Sequence, residues 1–240
     1  MKNGIVGWDG AFEHGERMKI AVTTLTRDRL AYTQHCFARL REFAGCDYDH
    51  FVLDNGSTDG TVEWLCDQDG LSVVCFDENI GIGAGLNYLN DVALDADDYD
   101  VIVHFDNDCE LTQPNTIRDL AHLVHDGGAV LSPRILGLQN PPQPTRELQI
   151  NGETILDIPQ IGGICLTAPA WWFLEYRYPD DLPLWGMDDA HLCQTWRDAG
   201  GTCGYVKRLE AWHYLGTDGQ RADQPSYFAR KDAEYAQVSA

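Results

Sequence analysis

Short apolar runs of strand length alternate with segments of helical periodicity through the first two-thirds of the chain. The runs that predict strands lie at residues 19–25, 51–53, 71–76, 101–105 and 129–131. The segments that predict helices lie at residues 30–43, 62–65, 83–94 and 115–125. This alternation predicts an α/β fold with a Rossmann-like, mainly parallel sheet that helices flank on both faces.

A proline-rich stretch at residues 140–144 breaks the alternation, because it cannot form regular structure. Beyond it, the pattern predicts a strand at 161–168, a helix at 188–199 and a strand-like segment at 210–214. We expect the break to separate two halves of one domain. The expected parts of the chain are an N-terminal extension (1–17), a domain (18–217) with a first half (18–111) and a smaller second half (145–217), and a C-terminal tail (218–240).

The charge of the chain disfavours two classes of partner. Asp and Glu number 38 against 17 Lys and Arg, which gives a formal net charge of −21. Nucleic acids and anionic membrane surfaces attract proteins mainly through clustered cations. Neither is therefore an expected partner.

The lack of recognisable targeting signals and the spacing of the cysteines predict a cytoplasmic protein. No apolar stretch approaches the roughly 18 residues that a membrane-spanning helix needs, and residues 1–17 lack the apolar core of a signal peptide. The eight cysteines include no CxxC pair, so we expect reduced thiols rather than a zinc site or a disulfide framework. Association into an oligomer stays open.

Three polar clusters lie at the carboxyl ends of predicted strands. They begin at Asp54, Asn79 and Asp106. Ligands of parallel sheets bind where the carboxyl ends of the strands meet. We therefore expect these clusters to form a ligand site at one edge of the sheet.

The cluster Asp106-Asn107-Asp108 follows the apolar run at 101–105. Two carboxylates at the end of a buried strand are costly unless a cation neutralises them. A hard divalent cation held by carboxylate and phosphate oxygens would do so, which indicates Mn²⁺ or Mg²⁺. A solvated acidic turn is the open alternative in so acidic a chain.

The other two clusters are compatible with a nucleotide ligand. Asp54 at a strand end could accept a hydrogen bond from a base N–H or a ribose hydroxyl, or it could only cap the turn that follows. Glycines at 81, 83 and 85 allow the backbone to approach a ligand or another element closely. Their spacing differs from the dinucleotide fingerprint, so an NAD site is excluded.

Taken together, residues 18–111 resemble the nucleotide-binding half of family 2 glycosyltransferases, which have the GT-A fold. The matching segments are Ala21–Arg27, Leu53–Thr61, Asn79–Asn87 and Asp106–Asp108. The resemblance implies that Asp108 ligates the metal and that Asp106 reaches the ribose or a metal-bound water. The nucleotide-sugar site that it implies consists of Thr23, Thr24, Leu25, Arg27, Asp54, Asn55, Asn79, Gly83, Asn87, Asp106 and Asn107.

The second half resembles the acceptor side of the same family. Gly162–Leu166 is similar to a glycine-led strand near the acceptor, and Met187–Cys193 is similar to the family's Glu-Asp helix motif, with Asp188 in place of the usual Glu. The resemblance implies that Asp189 is the general base and that Asp188 and Trp185 bind the acceptor. The open alternative for Asp189 is stabilisation of the helix start.

His213 completes the implied metal site. It lies in a segment, Glu210–His213, that is similar to one whose histidine binds metal or diphosphate in some GT-A enzymes. His213 would join Asp108 as a metal ligand or donate to the diphosphate. The alternative is simple packing between Trp212 and Tyr214.

These expectations describe a metal-dependent, inverting glycosyltransferase. It would move a sugar from a nucleoside diphosphate, with UDP favoured, to a free hydroxyl of a glycan, a lipid-linked sugar or another acceptor. One alternative is a module that binds nucleotide-sugars without transfer. A second is a nucleotidyltransferase on a similar fold, which the absence of glycine from residues 23–29 disfavours.

Overall fold

The structure, a computed structural model, describes residues 18–138, 141–179 and 188–214, together with the isolated positions 225, 229, 232 and 233. Within this part of the chain, ten strands form one sheet and six helices accompany it. The strands are β1 (Ile20–Thr26), β2 (Asp49–Asn55), β3 (Leu71–Phe76), β4 (Val101–Phe105), β5 (Cys109–Leu111), β6 (Val130–Leu136), β7 (Arg146–Ile150), β8 (Glu153–Asp157), β9 (Cys165–Pro169) and β10 (Cys203–His213). The helices are α1 (Leu30–Phe43), α2 (Thr61–Cys66), α3 (Ile82–Ala96), α4 (Thr116–Gly127), α5 (Ala170–Glu175) and α6 (Asp188–Asp198).

The sheet has the order β3-β2-β1-β4-β9-β6-β10-β8-β7, and β5 pairs with β10 outside this path. Strands β1 to β4 are parallel to one another, and β6 is parallel to β10. Strands β5, β7, β8 and β9 pair antiparallel with their neighbours. The predicted fold class is confirmed, because a large, mainly parallel sheet is flanked by helices.

Hydrophobic spacing explains the elements around the centre of the sheet. Helix α1 buries Cys36, Phe37 and Leu40, which a 3.6-residue repeat places on one face. Strand β4 is buried at every position, as expected for a central strand that is covered on both sides. The observed bounds of α1, β3 and β4 agree with those that the sequence pattern predicts.

The sequence pattern does not predict β5, β7, β8 or α5, and it starts β9 four residues too early. Strand β5 has only three residues, and β7 is largely exposed at the edge of the sheet. Neither therefore presents an apolar run. Residues 161–164 form an irregular segment instead, in which the Ile164 carbonyl accepts a hydrogen bond from the Asp106 N–H at 2.9 Å.

Some sequence predictions fall outside the described residues. These are the N-terminal extension (1–17), Trp185 and, apart from the four isolated positions, the C-terminal tail (218–240). All eight cysteines are free thiols. Among the helices that the structure describes, none combines the length and the apolar character needed to cross a membrane.

The order of the central strands positions the candidate site. Because β1 lies between β2 and β4, the carboxyl ends of these three parallel strands are neighbours at one edge of the sheet. The loops that leave these ends carry Asp28 and Arg29 after β1, Ser57 to Asp59 after β2, and Asp106 to Asp108 after β4.

Candidate active site

Two carboxylates and one imidazole converge beyond the carboxyl end of β4. One ligand atom from each of Asp106, Asp108 and His213 lies within 4.8 Å of the other two. The Asp108 and His213 side chains are 5% and 13% exposed, and His213 Nε2 lies 3.2 Å from Asp108 Oδ1. Carboxylates held this close in a buried place favour the binding of a cation.

Strand pairing brings His213 to Asp108 across about a hundred residues of sequence. Strand β5 begins directly after Asp108 and pairs antiparallel with β10, so that Cys109 lies opposite His213. The Tyr214 N–H also donates to the Asp108 carbonyl at 3.1 Å. The backbone register therefore fixes the imidazole beside the carboxylate.

The carboxylates change the protonation of His213. Burial alone would lower the pKa of this imidazole, but the charges of Asp108 and then Asp106 outweigh burial and raise the pKa of His213 above its ordinary value. A histidine must be neutral to bind a metal. Binding of a divalent cation at this cluster is therefore coupled to loss of a proton when His213 is charged.

His104 in β4 supports Asp106. Its ring is almost fully buried, and its Nε2 lies 3.2 Å from Asp106 Oδ1. The sequence predictions do not include His104. The available signal was a single polar side chain in the apolar run of β4, two residues before Asp106.

Arg29 is a second residue that the sequence predictions do not include. Its Nη1 donates to Asp108 Oδ2 at 2.6 Å, and its Nη2 donates to Asn107 Oδ1 at 2.7 Å. Asn107, which was expected to contact the nucleotide-sugar, also donates to the hydroxyls of Thr26 and Thr33 at 2.8 and 2.9 Å. Its amide therefore bonds within the protein and ties the β4 loop to β1 and α1.

Asp54 at the end of β2 is fully buried and caps the following turn. Its Oδ1 accepts a hydrogen bond from the Ser57 N–H at 2.8 Å, and its Oδ2 accepts one from the Ser57 hydroxyl at 2.5 Å. Burial raises the pKa of Asp54, and the bonds from Ser57 oppose that rise. The turn-capping alternative thus has direct geometry, and contact with a nucleotide stays a prediction.

Asn55 and Asn79 join the loops that follow β2 and β3. Asn55 Nδ2 donates to Asn79 Oδ1 at 2.8 Å and to the Gly81 carbonyl at 3.1 Å, and Asn55 Oδ1 accepts from the Ile80 N–H at 2.9 Å. Asn79 Oδ1 also accepts from the Gly81 N–H at 3.0 Å. Both predicted residues therefore shape this edge of the sheet.

Gly83 and Asn87 hold a segment from the second half against α3. A Cβ on Gly83 would lie 2.5 Å from the Pro179 carbonyl oxygen, so only glycine permits this approach. Asn87 Nδ2 donates to the Tyr178 carbonyl at 2.8 Å, and the Tyr178 N–H donates to Asn87 Oδ1 at 3.0 Å. The close approach expected from the glycines is thus made to another element of the protein.

The residues predicted on β1 occupy different environments. Thr23 and Thr24 are fully buried within the sheet, and the Thr24 hydroxyl lies 3.0 Å from His50 Nε2. Contact of either threonine with a nucleotide-sugar stays a prediction. Leu25 packs against α3, where a Cβ on Gly85 would lie 2.8 Å from its Cδ1, and Arg27 is partly exposed at the end of β1.

Asp189 in the first turn of α6 approaches the β4 side of the site. A Cβ on Gly163 would lie 2.8 Å from Asp189 Oδ1 and 3.2 Å from His104 Cδ2. The position between the carboxylate and the imidazole therefore accepts a residue without a side chain. Asp188 begins α6, but its side chain lies outside what the structure describes, as does Trp185.

The cluster of Asp106, Asp108 and His213 fits a divalent cation by its chemistry. Carboxylate oxygens suit Mg²⁺ and Mn²⁺, and a neutral His213 imidazole would add one nitrogen donor. The three ligand atoms lie within 4.8 Å of one another, close enough for all three side chains to face one ion. Mn²⁺ or Mg²⁺ is therefore compatible with this donor set.

Comparison with known proteins gives one sequence match and several structural ones. Residues 20–189 match the sequence model of glycosyl transferase family 2. No curated protein sequence matches the chain.

The structural matches have low sequence identity. The mannosyltransferase PcManGT from Pyrobaculum calidifontis, solved with GDP-Man and Mn²⁺, has a TM-score of 0.64 and 17% identity over 90% of this chain and 63% of its own. TarS from S. aureus has a TM-score of 0.61 and 16% identity over 83% and 37%. GalNAc-T7, solved with UDP, GalNAc and Mn²⁺, has a TM-score of 0.61 and 14% identity over 82% and 44%. The chain thus shares their fold and spans less than two-thirds of each.

Proposed function

The chain belongs to glycosyl transferase family 2, and we propose that it transfers a sugar from a nucleoside diphosphate to an acceptor hydroxyl in a metal-dependent, inverting reaction. The observation that carries the proposal is the convergence of Asp106, Asp108 and His213 at the carboxyl edge of the parallel strands. Ligands of such sheets bind at this edge. The acceptor group would be a glycan, a lipid-linked sugar or another free hydroxyl.

The metal site would act on the leaving group. Asp106, Asp108 and His213 would hold Mn²⁺ or Mg²⁺, which supplies positive charge to stabilise the departing diphosphate. In a protein of net charge −21, a diphosphate would otherwise meet repulsion. The buried positions of Asp108 and His213 strengthen the interaction, since water screens buried charges less.

Asp189 would accept the proton of the acceptor hydroxyl. A carboxylate base helps most when proton transfer accompanies formation of the new C–O bond. Its position in the first turn of α6, against Gly163 and near His104, supports this role because the carboxylate is held on the same side of the protein as Asp106. One base opposite the leaving group would invert the anomeric carbon.

A UDP-sugar is the donor that we favour. A truncated form of TarS, residues 1–349, was solved with UDP-GlcNAc and shares 15% identity and a TM-score of 0.59 with this chain, whereas the PcManGT structure holds GDP-Man. The base and the sugar are therefore to be determined by a donor panel. The expected cytoplasmic location stays a prediction.

Calorimetry with UDP tests the metal assignment. We expect UDP to bind the wild-type protein more tightly with Mn²⁺ than with EDTA, by roughly 5- to 150-fold, the usual range for one ligand's effect on another. Asp108→Asn should remove most of this difference, because it takes away the most buried carboxylate of the cluster. Asp91→Asn, at an exposed ion pair on α3, makes the same change in net charge and should retain the difference.

Equal affinity in Mn²⁺ and EDTA would overturn the metal assignment. A donor panel then separates enzyme from binding module. Metal-dependent binding without turnover of any nucleotide-sugar, with acceptor or with water, would favour a module that only binds.

A further inference from the structure

The protein places a cation of its own in the proposed metal site. Arg29 Nη1 lies 2.6 Å from Asp108 Oδ2, and the two side chains are 13% and 5% exposed. His213 approaches the other carboxylate oxygen at 3.2 Å. Both oxygens of Asp108 therefore face groups that are positively charged or can become so. Of these two groups, Arg29 has no role in the function proposed above.

The backbone that presents Arg29 is strained. Asp28 and Arg29 have φ values of 56° and 66°, in the left-handed region that residues other than glycine seldom adopt. Such strain persists only where surrounding contacts impose it, and it concentrates at functional sites. Two adjacent residues in this conformation indicate that the direction of the Arg29 side chain is imposed by the fold.

Bonds from the β2 loop impose this conformation. The Asp28 N–H donates to the Ser57 hydroxyl at 2.6 Å, and the Thr58 N–H donates to Asp28 Oδ1 at 2.7 Å. The Leu30 N–H, the first of α1, donates to Asp59 Oδ2 at 2.9 Å. The loop after β1 is thus attached to the loop after β2, and Arg29 extends from there to the loop after β4.

A metal ion at Asp108 and the Arg29 guanidinium repel each other, so each weakens the binding of the other to this carboxylate. The guanidinium also has a second use at this edge. It carries a fixed charge and a planar set of donors that matches phosphate oxygens. A diphosphate bound to a metal at Asp108 would come close to Arg29.

We propose that Arg29 is a displaceable counter-ion, which neutralises Asp108 in the empty site and turns to the diphosphate when a divalent cation occupies Asp108. This inference rests on the proposed function for its metal and its diphosphate. It makes metal and nucleotide binding cooperative: the nucleotide gives the released guanidinium a new partner, so each ligand strengthens the other. Metal alone must compete with Arg29.

Binding of Mn²⁺ alone tests the competition. Electron paramagnetic resonance of free Mn²⁺ in titrations without nucleotide gives the affinity directly. We expect Arg29→Gln to bind Mn²⁺ about tenfold more tightly than the wild type, the low end of what a nearby opposite charge contributes at a carboxylate. Arg39→Gln is the matched control: it removes one charge from α1, the helix that Arg29 directly precedes, where Arg39 pairs with Glu42 and Glu110, and it should leave the affinity unchanged.

A second variant preserves the backbone. Asn adopts the left-handed region more readily than most residues, so Arg29→Asn should keep the start of α1 even if Arg29→Gln does not fold. It should show the same gain in Mn²⁺ affinity. Arg29→Lys keeps the positive charge, so its affinity for Mn²⁺ alone should remain near that of the wild type.

The variants that bind Mn²⁺ alone more tightly than the wild type should bind UDP more weakly than the wild type. With Mn²⁺ and UDP together, we expect Arg29→Gln and Arg29→Asn to bind UDP about tenfold more weakly than the wild type, since the diphosphate loses one cation. Unchanged or weaker binding of Mn²⁺ alone in both folded variants would overturn the competition. Unchanged UDP binding in both would overturn the transfer of Arg29 to the diphosphate.

These results separate the inference from the proposed function. If Mn²⁺ binds the wild type and the variants equally and still strengthens UDP binding, the metal site stands and the role of Arg29 is wrong. If Mn²⁺ binds none of the proteins with or without UDP, the metal site is wrong, and so is the counter-ion.

Discussion

The N-terminal part of the sheet (β1–β4) and the C-terminal part (β5–β10) contribute to the site in different ways. At the ends of β1 to β4, most polar side chains bond to one another, as Asn55 does with Asn79 and Asn107 with Thr26. The C-terminal part contributes one group from each of two separate elements: His213 through the pairing of β10 with β5, and Asp189 through α6.

The two parts of the sheet therefore differ in what their polar residues do: those of the N-terminal part fix the conformation of the loops, and those of the C-terminal part add single reactive groups. A network of mutual hydrogen bonds fixes loops that a nucleotide can contact, and replacing one member disturbs its partners. Single groups delivered by distant elements can be replaced with little effect on the loops. Variants of Asp189 should therefore change turnover, variants of His213 should change the affinity for the metal, and variants in the N-terminal part should change the affinity for the nucleotide.

The largest expected effect comes from Asp189→Asn. This change keeps the shape of the side chain but removes its capacity to accept a proton. Turnover of the nucleotide-sugar should fall by roughly 10²–10⁴, the usual contribution of a general base, while UDP affinity with Mn²⁺ should stay the same in calorimetry.

Asp188→Asn is the neighbouring control and should have a smaller effect. If Asp189→Asn loses thermal stability but keeps turnover, the carboxylate only stabilises the start of α6. If Asp188→Asn stops turnover instead, the base is one residue earlier.

Gly163→Ala should change the position of Asp189 without removing it. The new methyl would lie 2.8 Å from Asp189 Oδ1, and a side-chain carboxylate moves more easily than backbone. We expect a fall in turnover of about 10²-fold, a typical cost of misplacing a reacting group by about 1 Å, at nearly unchanged melting temperature.

Gly162→Ala is the control for this change, since its methyl would make only ordinary contacts with Ile164, at 3.5 Å or more. Both variants reduce the flexibility of the loop, but only Gly163→Ala displaces the Asp189 carboxylate. A difference in turnover between them therefore reports the effect of that displacement. Equal turnover in both would contradict a role for the geometry between His104 and Asp189.

Asp54→Ala, in the N-terminal part of the sheet, should have the smallest effect, which is a loss of affinity for UDP. Loss of a hydrogen bond to a charged group costs about 1.5–3 kcal/mol, so UDP affinity should fall about 10- to 100-fold, and its dependence on metal should persist. Calorimetry with and without Mn²⁺ measures both.

Asp49→Ala at the amino end of the same strand also removes a carboxylate, one that accepts a hydrogen bond from the Tyr99 hydroxyl far from the site. It should lower stability without changing UDP affinity. If the two variants behave alike, Asp54 acts only as a turn cap.

The sequence predicts the N-terminal part of the sheet well because its information is local. The apolar spacing of Phe37 and Leu40 defines α1, and the buried run of β4 precedes Asp106 and Asp108 directly. The order in which such strands are placed follows general rules for parallel sheets. The edge that carries the site could therefore be located from the sequence.

Contacts between distant segments could not be located in this way. The pairing of His213 with Asp108 depends on the three-residue strand β5, which is too short to give a pattern. The contact of Arg29 with Asp108 depends on a left-handed backbone that the Ser57 loop imposes. For Asn87, the resemblance implied a contact with the nucleotide-sugar, but the carbonyl to which it donates, that of Tyr178, lies 91 residues away in the sequence.

The pairing of β5 with β10 also sets a time at which the site can first exist. Asp108 is synthesised about a hundred residues before His213, which is roughly 5–20 s at the usual rates of translation. During that interval the loops of the first four strands can assemble, but the His213 imidazole of the proposed metal site has not yet been made. A nascent chain therefore cannot bind a cation through all three groups until β10 has joined the sheet.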